Sequence, residues 1–263
     1  MLQGIYEHDC IDGINSIPDS SIDIIIADPP YNIGKDFGND SDKKTHDDYM
    51  KWCNEWIAQC LRVLKPSGTL YIYGFSEILA YIRVSIGDRC NVRWLIWHYT
   101  NKTIPRYSFW QRSHESILVC YKNSPVFNLD DVREPYTEGF VNGAAGKERA
   151  STKGRFSKGD KTTTYTAHEK GALPRDVIKI PALAGGAGKK ERVDHPTQKP
   201  LLLCEKLLSA SRNKEGETWL LVPFVGSGSE CVSAKKLGIK YVGYEINKEY
   251  IKIANKRLDD ANT

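Results

Sequence analysis

The sequence predicts an α/β protein with a doubly wound, mostly parallel sheet, an antiparallel element at one edge and one inserted segment. Three observations predict it. Ile22 to Ala27 is an almost unbroken run of β-branched and apolar residues that stops at Asp28-Pro29-Pro30, the pattern of a buried strand with a loop at its carboxyl end. From there, strand-like and helix-like segments alternate, as successive βαβ units require. Near the C-terminus a strand-like segment at Trp219 runs into a glycine-rich turn and a helix-like one, and a second strand follows.

After the Ile22–Ala27 strand, apolar residues fall at Tyr49, Trp52, Cys53, Trp56, Ile57, Cys60, Leu61 and Leu64, a stripe of helical period closed by Lys65-Pro66-Ser67-Gly68. Leu70 to Tyr73 reads as the next strand, Ile78 to Ile86 as a helix, and Val92 to His98 and Ser116 to Tyr121 as two more strands. Periodicity then fades, and 139–188 is rich in Gly, Lys, Thr and Ser. Order resumes with a helix over Leu201 to Ser211, a strand over Trp219 to Pro223, a helix over Ser229 to Leu237, a strand over Lys240 to Glu245 and a helix opened by Asn247. On that last helix Ile251, Ala254 and Leu258 share a face. The expected organisation is a single domain over 1–263 with an inserted basic region over 122–194.

Length and composition suit this reading. The chain has 263 residues, 40% hydrophobic and 27% charged, enough for one well-buried core. No apolar run approaches the length of a membrane span, and the start Met1-Leu2-Gln3-Gly4 lacks a basic segment followed by an apolar one, so a cytoplasmic protein is expected. Seven dispersed cysteines without a Cys-x-x-Cys pair argue against a disulfide framework and against a zinc site, and no metal is expected. The net charge is +4, but Gly143 to Val193 holds twelve Lys or Arg against five acids. A segment of net +7 on an otherwise mildly acidic chain suits a polyanion, although a solvated lysine-rich loop would have the same composition.

Two motifs carry chemistry. The strand at Trp219 leads into Pro223-Phe224-Val225-Gly226-Ser227-Gly228-Ser229 and a helix, so small residues let backbone approach a ligand where helix N–H groups are free. Glu245 ends the following strand, where a carboxylate suits the two hydroxyls of a ribose. Asp28-Pro29-Pro30-Tyr31 is the second motif. Two prolines cannot continue a strand ladder, and they can leave the Asp28 carboxylate and the Pro29 carbonyl aimed outward beside an aromatic ring. Two acceptors and a stacking surface are what an exocyclic NH2 group needs. An ordinary turn would also fit a lone Asp-Pro-Pro.

Together these segments resemble the DNA amino-methyltransferases, which modify adenine N6 or cytosine N4. The resemblance spans the chain outside the insert. Asp28, Pro29, Pro30 and Tyr31 are similar to that family's catalytic loop, and Phe224, Gly226, Ser227, Gly228 and Ser229 to its cofactor loop. Glu245 and Tyr250 match its ribose-binding strand end, Asp9 and Cys10 of His8-Asp9-Cys10 its adenine-contacting motif. Thr197 and Lys199 of His195-Pro196-Thr197-Gln198-Lys199-Pro200 match the segment over the cofactor's methionine part. The catalytic loop precedes the insert and the cofactor loop follows it, resembling the beta arrangement, in which the intervening segment recognises the target.

The resemblance implies S-adenosylmethionine as cofactor and a flipped-out adenine in double-stranded DNA as substrate, with Asp28 and the Pro29 carbonyl accepting its amine hydrogens and Tyr31 stacking on the base. A second copy of the chain and a cognate restriction endonuclease are the further partners it suggests. DNA-backbone contacts are expected from Lys153, Arg155, Lys158 and Lys161 in the insert and from Lys102, Arg106 and Arg112 before it. Phe109 and Trp110 could wedge into DNA or pack on their own domain. The chain departs from the family at Val222, where most members have Asp, a loss of about 1.5–3 kcal/mol if that carboxylate meets the cofactor. The readings left open are adenine N6, cytosine N4, an inactive DNA-binding relative and, against the motif order, an RNA enzyme.

Overall fold

The structure is a computed structural model describing residues 2–34, 43–101, 107–155, 157–164 and 166–261. Lys102 and Arg106 lie outside the described residues. The chain divides into two compact units, Met1–Phe127 with Asp176–Thr263, and Asn128–Arg175.

The first unit is built on an eight-stranded sheet. In chain order its elements are β1 (Gly4–Glu7), α1 (Cys10–Asn15), β2 (Ile22–Ala27), α2 (His46–Val63), β3 (Leu64–Gly74), α3 (Ser76–Ile86), β4 (Asn91–His98) and β5 (His114–Tyr121). The second unit supplies α4 (Glu138–Gly143), β6 (Glu148–Ala150) and β7 (Thr162–Thr164). Then, in the first unit again, come β8 (Val177–Lys179), α5 (Leu201–Ser211), β9 (Trp219–Val222), α6 (Ser229–Lys236), β10 (Lys240–Glu245) and α7 (Lys248–Asp260).

The strand order is β1-β10-β9-β2-β3-β5-β4-β8. The first five run parallel, β5 is antiparallel to β3 and β4, and β8 pairs parallel with β4. Along β2 the apolar residues serve both faces, because Ile25 and Ala27 point to one layer and Ile24 and Ile26 to the other. One layer is completed by α1, α2 and α3 and the other by α5, α6 and α7, so the sheet is doubly wound. A register shift between Ile22 and Ile24 explains why Ile22 joins the layer of Ile25. At the opposite end of the strands, Asp23 accepts from Lys65 Nζ (2.8 Å) and from the Trp219 amide (2.9 Å), fastening β2 to its neighbours.

From β2 the chain proceeds to β3 on one side, whereas β9 lies on the other and continues to β10. Ligands of open α/β sheets bind beyond the carboxyl ends of strands where the order reverses in this way. Asp28, Pro223 and His8 follow such ends and Glu245 is the last residue of β10.

The structure departs from the sequence expectations in several places. β1 and α1 were too short to show a period. Lys65 to Gly68 lie within β3 rather than in a turn, with Gly68 packed against Leu64 and the Asp23 carbonyl, so no side chain fits there. The second unit, Asn128–Arg175, is narrower than the expected 122–194, because Val177–Lys179 pairs with Ile96 to His98 and joins the sheet unit. Within the second unit β6 and β7 pair antiparallel, Glu134 bridges to Ala172, and Arg133 donates to Asp130 (2.7 Å) and to the Gly171 carbonyl (2.9 Å). All seven cysteines are buried and free.

Candidate functional site

The strand ends surround one cavity. Its lining includes Asp9 and Cys10, Asp28 to Tyr31, Thr197 and Lys199, Phe224, Gly226 and Ser227, and Glu245. These expected residues come from distant parts of the chain and are brought together. Gly228 and Ser229 lie behind the cavity wall: Gly228 backs onto Ala254, and the buried Ser229 hydroxyl donates to the Lys199 carbonyl (2.8 Å).

At the cofactor-loop end, Gly226 and Gly228 have φ of +49° and +78°, a region that costs an L-residue with a side chain. A Cβ on Gly226 would sit 2.8 Å from His195 Nε2. The Glu245 carboxylate accepts from the amides of Gly226 (2.8 Å), Ile246 (3.0 Å) and Asn247 (2.8 Å), tying the β10 end to the loop after β9. Burial raises its pKa and these three bonds oppose the rise. Phe224 packs on Trp52 and Trp56, with centroids 5.5 and 5.4 Å away. Asp9 caps α1 through the Ile11 amide (2.8 Å), and Cys10 is buried, its thiol pKa raised by burial and then by Asp9.

The other end is a buried cluster of charges. Asp28 follows β2, and its Oδ2 accepts from Lys199 Nζ at 2.7 Å while its Oδ1 accepts from the Tyr31 hydroxyl at 2.8 Å. The Tyr31 hydroxyl also reaches Glu115 Oε2 (3.2 Å), which lies 3.6 Å from Lys199 Nζ. Burial works against the Lys199 ammonium, but Asp28 and Glu115 outweigh it and hold its pKa above the ordinary lysine value. Burial, then Asp28 and Glu115, raise the Tyr31 pKa, so it remains a donor. Glu230, in the first turn of α6, is pushed up to about 7 by burial and by Asp28. Burial, Lys199 and Arg257 lower His195 to about 4, so its ring is neutral near pH 7.

The loop itself is held from both sides. The Tyr49 hydroxyl donates to the Pro30 carbonyl (2.7 Å) from α2, whose start is fixed by Thr45 accepting from the Asp48 amide. Asn32 sits in the left-handed region and its amide group pairs with both backbone groups of Lys44 (2.8 and 2.9 Å). Tyr31 is only 8% exposed, set edge-on to Phe75 at 5.0 Å. Its ring is therefore mostly wall, where the sequence suggested an open stacking platform. Lys199, expected on the cofactor's methionine part, lines the cavity and directs its ammonium at Asp28. Arg112 is ion-paired with Glu77 (2.7 Å) and lies over the Phe75 ring (4.2 Å), so the expected phosphate contact would have to break both interactions. Glu115 and Glu230 escaped the sequence reading and Trp52 entered it only as part of a helical stripe, since single residues inside ordinary strands and helices carry no motif.

These features can be compared with known proteins. A family model described as DNA methylase, covering the N6 and N4 enzymes, matches residues 22–256. The chain belongs to this DNA methylase family. Type II methyltransferase M.HpaI of Haemophilus parainfluenzae is 34% identical over 255 residues, covering 95% of this chain and 72% of the relative. DNA adenine methyltransferase YhdJ of Escherichia coli K12 is 32% identical over 261 residues, covering 98% and 83%. The crystal structure of the M1.HpyAVI–SAM complex superposes with a TM-score of 0.61 at 25% identity, covering 98% of this chain and 100% of that one. This DNA methylase is accordingly an S-adenosylmethionine-dependent DNA methyltransferase.

The cavity fits that cofactor by its own chemistry. The glycine cradle at Gly226 leaves no room for a methyl group against His195, and a carboxylate stands at the β10 end where a ribose diol can pair with it. Aromatic and apolar side chains of Phe224, Ile246 and Tyr250 line the same end. Val222 is 1% exposed and belongs to the apolar layer with Val225 and Cys231, beneath the loop.

Proposed function

We propose that this DNA methylase methylates N6 of adenine at a specific site in double-stranded DNA, with the target base turned out of the helix. The observation that carries this reading is that the Asp28-Pro29-Pro30 loop and the Gly226–Glu245 cradle open into one cavity. Asp at position 28 favours adenine, because cytosine-N4 members of the family often carry Ser there, and YhdJ at 32% identity is named a DNA adenine methyltransferase.

The adenine amine is conjugated with its ring and is a weak nucleophile. In the proposed mechanism Asp28 and the Pro29 carbonyl accept its two N–H bonds, which makes the lone pair available, and the Asp28 carboxylate takes the proton released as the N–CH3 bond forms. Tyr31 and Lys199 orient that carboxylate from two sides. Glu245, Gly226, Ser227, Phe224 and the Asp9–Cys10 turn hold S-adenosylmethionine, which when bound supplies an electrophilic methyl group. None of the buried cysteines takes part. The exposed Lys153, Arg155, Lys158 and Lys161 supply phosphate contacts, a role without sequence information. A second copy of the chain and a cognate endonuclease complete the reading as candidate partners, in a cytoplasmic setting.

The test is to incubate the protein with labelled cofactor and either unmethylated duplex DNA or RNA, then digest to nucleosides. Label in N6-methyladenine from DNA is expected. Label in N4-methylcytosine overturns the base assignment, and label in RNA alone overturns the substrate.

A further inference from the structure

Lys199 occupies an unusual position for a residue of the cofactor-side segment. Its backbone carbonyl accepts from Ser229 at the start of α6, while its side chain, 3% exposed, crosses to the opposite end of the cavity. An ammonium has three hydrogens to donate. Those of Lys199 face Asp28 Oδ2 at 2.7 Å, the Thr197 carbonyl at 3.4 Å and Glu115 Oε2 at 3.6 Å. The Tyr31 and Tyr73 rings flank it at 5.5 and 5.1 Å. The ammonium thus donates to Asp28 and, more weakly, to the Thr197 carbonyl, and it is ion-paired with Glu115.

The two carboxylates are joined by the ammonium, and between them they share the single hydrogen of the Tyr31 hydroxyl, which lies nearer Asp28 (2.8 Å) than Glu115 (3.2 Å). The arrangement matters for an acceptor. A buried ammonium paired with one carboxylate would fix its direction but also weaken it as an acceptor, since the ammonium holds the charge that the amine hydrogens need. A second carboxylate on the same ammonium shares that pull. Asp28, Glu115 and Lys199 together carry one net negative charge, the sign that suits an amine gaining positive charge as it is methylated.

We propose that Lys199 and Glu115 are positioning residues for methyl transfer: Lys199 orients the Asp28 carboxylate, and Glu115 shares the Lys199 charge so that Asp28 remains a strong acceptor. The proposal rests on Asp28 as the amine's acceptor, and it moves Lys199 from the cofactor to the reacting base. It also assigns a function to Glu115, a strand residue no motif marks.

The experiment compares Glu115→Gln, Lys199→Met and the double variant as full-length proteins. Cofactor affinity is read by calorimetric titration with S-adenosylmethionine, and the chemical step by single-turnover transfer to duplex DNA. Glu115→Gln is expected to slow the step about tenfold and Lys199→Met about a hundredfold, each with cofactor affinity changed less than about threefold. Removal of Lys199 leaves two carboxylates facing each other, so adding Glu115→Gln in that background relieves the repulsion and makes the double variant faster than Lys199→Met alone. A change of sign between backgrounds belongs to shared charge and not to packing. The proposal is overturned by a Glu115→Gln rate equal to wild type, by effects that simply multiply, or by cofactor affinity that falls in step with the Lys199→Met rate. Should Lys199→Met fail to fold, the Glu115→Gln rate and affinity alone decide. Failure of the underlying reading shows differently, as a wild-type protein without transfer to DNA or an Asp28→Ala variant at wild-type rate.

Discussion

The cavity of the sheet unit and the Asn128–Arg175 unit place their charges in opposite environments. Around Asp28 the charged groups are buried and bonded to one another, with Lys199 at 3% and Glu115 at 7% exposure. In the second unit Lys153, Arg155, Lys158 and Lys161 stand in water between β6 and β7, two short strands that are themselves exposed throughout. Burial makes each charge in the first set strong, expensive to strand without a partner and sensitive to its neighbours. Exposure makes each charge in the second set individually weak, additive and screened by salt. Rate should therefore reside in the buried cluster and grip on a polyanion in the solvated one.

That division can be broken by experiment. The largest expected effect is on Asp28→Ala, which should lose about a thousandfold or more in single-turnover transfer with cofactor affinity retained. A rate loss below tenfold would remove Asp28 from the chemistry. Next comes Glu230, whose pKa is pushed up to about 7 by burial. The folded protein holds this proton more tightly than the unfolded chain, so its contribution to stability is present at low pH and is lost as pH rises through about 4.5 to 7. Glu230→Gln should therefore gain stability relative to wild type across that window, by up to about 3 kcal/mol, read as diverging denaturant midpoints. His195 titrates in both proteins and cancels in the difference.

In the solvated unit, Lys153, Arg155, Lys158 and Lys161 changed together to Ala should lower DNA affinity and reduce the slope of log affinity against log salt by about 0.9 for each phosphate no longer neutralised. Single-turnover rate at saturating DNA should stay unchanged. An altered saturated rate with the salt slope intact would reverse the roles assigned to the two regions. The smallest effect is expected for Gly226→Ala, which places a side chain at φ +49° and against His195. Cofactor affinity should fall on the order of tenfold, measured by calorimetry, with the salt slope of DNA binding intact.

The same contrast explains what the sequence revealed. Runs of residues with one function were legible: β2, α5 and β10 have the bounds their periodicity predicts, and Asn247 caps the last helix through the Glu249 amide (2.9 Å). The Asp28-Pro29-Pro30-Tyr31 loop, the glycine turn and Glu245 were legible as features of strand ends because local chain geometry demands those residue types in order. Glu115 and Glu230 were not, since their meaning arises from partners 84 residues away in one case and across a helix–helix contact in the other. Tyr31 was legible as a member of the loop but not as a buried donor, because nothing in a tetrapeptide tells which way its ring is covered. Composition alone did not show where the backbone rejoins the sheet, because the chain stays basic past Val177, where β8 already pairs with β4.

The most direct test is base-resolution methylation sequencing of DNA from cells expressing wild type or Asp28→Ala. N6-methyladenine is expected at one recurring short sequence in the first sample and none in the second. Methyl marks on cytosine, or adenine marks equal in both samples, would contradict it.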